Sequence, residues 1–325
     1  MIRTTITGVA LAAAVTLPAA AQELRFANFT PPFHTINASV IEVLNAGMTE
    51  GTDGAVTVRG YHGGELGAGP VEQYVRAIQG VADITWGLPG YTSSQFQLTM
   101  IAELPTAIPA DTPGYEALWA AYDDHLSAEF PGTVPLALWT SEPNILIMRD
   151  TVVRTPADME GLRVRVAGAT AAQVAEAMGA TPVQMPISEV YQAMDTGLID
   201  GVITGASTLV DFRLDEVADA ITIGAPMGRL TFFTVMNQDA YAALSDEQRA
   251  TLDELAGIPL SQSAEEAWLA TAEAAVEAAR GDDANTIVDL TEEEIAAFAE
   301  AVSGVTQAYI DEVGGADAAA AMSGG

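Results

Sequence analysis

The 325-residue chain carries three histidines, at positions 34, 62 and 125, with no cysteine and no lysine. Those counts limit its chemistry. Without thiols there are no disulfides, thiolate metal sites or cysteine nucleophiles. Without lysine there is no P-loop lysine, Schiff base or lysine general base. The histidines are too scattered to suggest a metal triad, and neither G-x-S-x-G nor H-E-x-x-H occurs. Gly63, Gly64, Gly67 and Gly69 do not fall into a G-x-G-x-x-G spacing. Acids are so numerous, 44 in all, that no pair stands out, and a glycosidase is left open on composition alone. All 12 basic residues are arginine, and the net charge is −32. Such a surface repels nucleic acid and anionic lipid, so neither is expected as a partner. The expectation is a protein that is not an enzyme and holds no metal or cofactor.

The elements that would position any site follow an α/β pattern. Leu24–Phe29 alternates like a strand, stopped by Thr30-Pro31-Pro32. Helical spacing of Ile36, Val40, Val43 and Leu44 follows, then a strand over Ala55–Tyr61 and a glycine-rich loop over Gly63–Pro70. A helix over Val71–Gln79 and a buried strand over Ala82–Gly87 complete a parallel-sheet pattern. A second unit starts near Asn144. Leu162–Val166 alternates with period two, which puts Arg163 and Arg165 on one strand face. Helices over Thr170–Met178 and Ser188–Met194 and strands over Leu198–Thr204 and Leu230–Met236 follow. Ser245-Asp246-Glu247-Gln248 opens a helix with a capping box, and Gly257-Ile258-Pro259 interrupts the helical stretch that runs to Arg280. Thr291–Glu294 opens a last helix, and residues 314–325, rich in alanine and glycine, are expected to be a disordered tail.

The start of the chain argues for export. Arg3 is its only charge, Ile6–Leu17 is mostly apolar, and Ala19-Ala20-Ala21 offers a cleavage site, so residues 1–21 are expected to be a signal peptide. The exported chain would keep 11 arginines against 44 acids. An acidic, lysine-free exported protein suggests saline surroundings, where salt screens self-repulsion.

Asp158–Val166 resembles the D-x-x-G-x-K/R-x-R segment of TRAP transporter solute-binding proteins. Gly179–Pro182, Met185–Tyr191 and Thr196–Gly201 follow in that family's order and spacing, and Glu65-Leu66-Gly67, Gly80–Asp83, Glu103-Leu104-Pro105 and Met236-Asn237 also match. The resemblance implies two α/β lobes, discontinuous in sequence, around a ligand cleft. Lobe I would be residues 22–146 and 228–260, and lobe II residues 147–227 and 261–313. It further implies a periplasmic monomer that captures a small carboxylate and delivers it to membrane TRAP permease subunits. A binding protein of another importer class is the alternative, and the Arg165 segment argues against it.

By resemblance, Arg165 is the carboxylate-binding residue. A planar guanidinium pairs bidentately with a carboxylate and tolerates burial better than an ammonium. Arg163 is expected in a surface ion pair. Lobe I would supply an aromatic wall from Phe29, Trp86, Tyr91 and Phe232, with Leu88 beside them. The chain departs from many relatives at three points. Thr204 stands where they carry an asparagine, Ile187 where they carry an aromatic residue, and the segment Thr140–Asn144 lacks a second arginine. The expected ligand is therefore a monocarboxylate with a hydrophobic body. Arg229 would offer a second cation if it reaches the cleft, whereas His34, at a helix start, is expected to be solvated.

Overall fold

The computed structural model describes residues 21–324, so all but the last residue of the expected signal peptide lies outside the described residues. Eleven strands run in chain order as β1 (Gln22–Ala27), β2 (Val56–Tyr61), β3 (Ile84–Gly87), β4 (Thr133–Thr140) and β5 (Ile145–Met148), then β6 (Arg163–Val166), β7 (Thr181–Gln184), β8 (Gly201–Thr204), β9 (Ala220–Ile223), β10 (Thr231–Asn237) and β11 (Thr286–Asp289). They form two sheets, ordered β2-β1-β3-β10-β4 and β11-β9-β5-β8-β6-β7. The three strands read from residues 24–87 are parallel to one another, as the pattern predicted, but each sheet as a whole is mixed. β10 runs antiparallel to β3 and β4, and β5 antiparallel to β8 and β9. These reversals arise because β5 and β10 are entered from the opposite lobe rather than through a right-handed crossover within one sheet.

The chain crosses between sheets at residues 141–144 and 224–230, and the two crossings are tied together. Ser141 N donates to Leu230 O at 2.8 Å, Leu230 N donates to Ser141 Oγ at 2.9 Å, and Asn144 N donates to Gly228 O at 2.9 Å. Gly228 adopts φ of 70°, and a Cβ there would lie 1.8 Å from Glu103 O, so glycine alone fits.

The expected break before the long helix is present: Gly257, at φ 71°, caps Ile258–Arg280, with Pro259 in its first turn. That helix spans both lobes. Leu260, Ala264 and Trp268 pack against the first sheet, whereas Ala272, Ala275 and Ala279 pack against the second. A lobe boundary at residue 261 therefore falls inside one continuous helix, whose first turns belong with lobe I.

The expected disordered tail needs correction. Ala316–Met322 is a helix, reached through Gly314 in the left-handed conformation, and it buries Ala318 and Met322 in the cluster that holds Met100, Ile101 and Leu118. Its alanines carry the highest helix propensity, and packing supplies what the short length lacks.

Two buried carboxyl groups lie where the lobes meet. Glu103 accepts from Thr170 Oγ1 at 2.5 Å and from Thr231 N at 3.3 Å, and Glu142 accepts from Ser207 N at 2.6 Å. Burial pushes each from the ordinary 4.5 up to about 7. Between those values the folded protein binds more protons than the unfolded chain, so stability falls as pH rises from about 4.5 to 7. Each group contributes on the order of 3 kcal/mol across that window. In about 1 M salt, which screens the surface charge, the unfolding temperature is expected to be lower at pH 8 than at pH 5.5. Glu103→Gln should narrow the difference, and a flat or rising profile would contradict the assignment.

Candidate functional site

Arg165 sits mid-way along β6, 1% exposed, at the rim of a cavity between the two sheets. Nine of the eleven arginines among the described residues pair with a carboxylate within 4 Å, Arg163 with Asp200 among them. Arg165 does not. Its Nε donates to Met185 O at 2.9 Å and its Nη2 to Tyr91 Oη at 3.3 Å, while desolvation lowers its proton affinity. A buried guanidinium without an anion is costly to maintain.

The structure brings all six sequence-predicted residues, Arg165, Thr204, Trp86, Phe29, Tyr91 and Phe232, into the lining of this one cavity. Each is aimed by its neighbours. Asn28, just after β1, accepts from Trp86 Nε1 at 2.9 Å and from the backbone and hydroxyl of Thr30, which fixes the indole. Phe29 then stacks on Trp86 with ring centres 4.6 Å apart, and Phe232 of β10 stacks on Trp139 at 5.3 Å. Tyr91 Oη accepts from Ile187 N at 3.0 Å as well as from Arg165, so one hydroxyl of lobe I ties together two segments of lobe II. Thr204 ends β8 with its Oγ1 buried and without a partner. Leu88 and Ile187 also line the cavity.

His34 is not solvated. It is 3% exposed in the lining, edge-on to Phe212 at 5.1 Å and Trp268 at 5.5 Å, and burial lowers its pKa to about 3. The chain turn Pro31–Asn37 folds its ring inward, where a helix-start position alone suggested solvent. Arg229 lines separate depressions on the outer side of the crossings, near Glu265, and is not part of this cavity.

Sequence reasoning missed Trp268, Asp211 and Phe212. Trp268 is the one aromatic in the alanine-rich Ile258–Arg280 helix, a signal that was there to be used. Asp211 closes the short helix Thr208–Asp211 and has no such mark. Its Oδ1 accepts from Thr35 N at 3.0 Å across the lobes, its Oδ2 is unpartnered, and burial raises its pKa to about 6.

Among the described residues no group of three or more histidine or acidic side chains is placed to hold a metal ion, and no helix is long and apolar enough to cross a membrane. An aromatic cavity with one buried cation, enclosed between two mixed α/β lobes, defines a two-lobe solute-binding protein. Residues 26–312 match the family model of the bacterial extracellular solute-binding proteins, family 7, and the chain belongs to that family. It is thus a TRAP-type solute-binding protein, as the Asp158–Gly201 motifs implied.

The chain is 31% identical to a TRAP periplasmic solute-binding protein from Bordetella bronchiseptica solved with bound (R)- and (S)-mandelate. That similarity covers 92% of this chain and 97% of that one, with a TM-score of 0.83. It is 27% identical to a marine-metagenome TRAP solute-binding protein specific for aromatic acid ligands, solved with 3-hydroxybenzoate, at a TM-score of 0.87 over 93% and 97% of the two chains. Over 266 residues it is 25% identical to the ectoine-binding periplasmic protein TeaA of Halomonas elongata, covering 79% of this chain and 76% of that protein. Members of the family bind substrates rather than transform them, and the Bordetella and Halomonas relatives are periplasmic.

Proposed function

We propose that this chain is exported to the periplasm, where as a monomer it captures a monocarboxylate with a hydrophobic body and delivers it to TRAP permease subunits in the membrane. The observation that carries the reading is Arg165, a buried cation with no acid partner that faces an aromatic cavity. The ligand's carboxylate supplies the missing charge, and Tyr91 and Thr204 offer hydroxyls beside it. Phe29, Trp86 and Phe232, with Trp268 from the long helix, take the body. Burying that body contributes about 25 cal/mol per Å² of apolar surface. Residues 22–146 and 228–260 act as one lobe and residues 147–227 as the core of the other, with the Ile258–Arg280 helix shared between them.

A second carboxylate finds no cation. Arg229 is elsewhere, His34 stays neutral far below physiological pH, and the remaining charged group in the lining is the acid Asp211. A C4-dicarboxylate would therefore lose several kcal/mol to unpaired desolvation, about 2–5 kcal/mol by analogy with other broken charge pairs. The relatives that hold mandelate and 3-hydroxybenzoate support the same ligand class. A thermal-shift screen over organic acids tests the proposal, because a ligand that binds only the native state stabilises it by about 2.7 kcal/mol at a hundredfold its Kd. Aryl and branched monoacids are expected to raise the unfolding temperature. A rise with C4-dicarboxylates alone would overturn the assignment.

A further inference from the structure

Resting on the monocarboxylate reading of the cavity, we infer that His34 and Asp211 form a second polar subsite, which recognises a hydroxyl group on the ligand's apolar body.

The two side chains come from opposite lobes. His34 lies in the turn after β1, and Asp211 closes the Thr208–Asp211 helix beyond β8. Their hydrogen-bonding roles are fixed by what each already does. His34 Nδ1 accepts from Ile36 N at 3.1 Å, so in the neutral ring the proton sits on Nε2, which is a donor. Asp211 Oδ1 is taken by Thr35 N, which leaves Oδ2 as a buried acceptor with no partner. His34 Nε2 and Asp211 Oδ2 are 3.7 Å apart, beyond hydrogen-bond length, so neither satisfies the other. Both residues line the cavity and both are 3% exposed.

A donor and an acceptor side by side select one kind of group. A hydroxyl accepts from Nε2–H and donates to Oδ2 at once. A carboxylate only accepts and is repelled by the aspartate. An ammonium only donates and leaves Nε2–H facing it. A hydrocarbon leaves both polar atoms buried and unmatched, which is the costly outcome. The surroundings sharpen the selection, because Phe212, Trp86 and Trp268 pack round the imidazole within 5.5 Å and keep the local dielectric low. Since Thr35 holds Asp211 only when the lobes meet, the hydroxyl also adds a bond made only in the closed arrangement.

Calorimetry on the full exported chain decides this with benzoate, the three hydroxybenzoates and 3-(aminomethyl)benzoate. At least one hydroxybenzoate is expected to bind about ten- to a hundredfold more tightly than benzoate. In Asp211→Asn the acceptor Oδ2 becomes an NH2 donor, and in His34→Phe the ring keeps its shape without Nε2–H. In both, the ratio of hydroxybenzoate to benzoate affinity is expected to fall to about one, and that ratio is the readout, whatever happens to either affinity. If one variant fails to fold, the ratios in the parent and in the other variant decide. Hydroxybenzoates that bind no better than benzoate, a ratio that survives both folded variants, or tightest binding of 3-(aminomethyl)benzoate would each overturn the subsite. Binding of succinate with no binding of any benzoate would overturn the monocarboxylate reading itself, and the subsite with it.

Discussion

Replacing Arg165 by alanine is expected to weaken benzoate binding by about 30- to several thousand-fold, the range set by breaking one partner of a buried charge pair at about 2–5 kcal/mol. The folded protein should meanwhile remain as stable as the parent, or become more so. Among the described residues Arg165 has no carboxylate partner, and its guanidinium is held by Met185 O and Tyr91 Oη. Removing it therefore takes away two hydrogen bonds and one uncompensated buried charge, two changes of opposite sign. Arg165→Lys should recover part of the affinity, because the charge returns without the paired donors. Urea unfolding and calorimetry on the same preparations check both halves. Parent-like affinity would remove Arg165 from the site, and a large loss of stability would make it a structural residue.

Gly168→Val is expected to weaken binding by about 5- to 150-fold without unfolding the protein. Gly168 precedes the Ala169–Ala177 helix with φ of −158°, extended backbone open to any residue, so the substitution strains nothing locally. A Cβ at this position would lie 2.7 Å from Gly90 Cα and 2.8 Å from Gly90 O, in the loop after β3 of the other lobe. Backbone cannot yield there as a side chain would, so the lobes must part. An overpacking cost of about 1–3 kcal/mol on the closed form lowers the population that can bind by the same factor. The reciprocal change gives a control: a Cβ on Gly90 would lie 3.4 Å from Gly168 Cα, an ordinary contact, so Gly90→Ala should bind nearly as the parent does. Small-angle scattering should show the parent more compact with saturating benzoate and Gly168→Val unchanged. Full compaction and parent affinity in Gly168→Val would show that this contact does not limit closure.

Arg165 was legible in the sequence because β6 is bracketed by local signals: the turn at Gly161, the alternation of Leu162–Val166 and the helix stop at Gly179. Trp86 and Phe29 were legible for a similar reason, since Gly80–Asp83 marks the start of β3 and Thr30-Pro31-Pro32 stops the chain just beyond β1. β4 went unseen. Its residues from Leu136 to Thr140 are all buried, so no alternation marks it, and Pro135 interrupts the run beside the bulge that β4 makes at Leu136 against β10. His34 and Asp211 escaped for another reason. Their roles come from two distant segments that meet only when the lobes do, and no spacing along the chain records that. The tail helix depends likewise on a groove made by residues near Met100 and Leu118.

The most direct test of the central claim is calorimetry of benzoate against succinate on the parent protein at one pH and salt. Benzoate is expected to bind more tightly, through one carboxylate at Arg165 and an aromatic body among Phe29, Trp86 and Phe232. Succinate is expected to be weaker by about 30-fold or more, the low end of what an unpaired second charge forfeits. Tighter binding of succinate, abolished by replacing Arg229, would contradict it: a second cation would then serve a site that the closed cavity excludes.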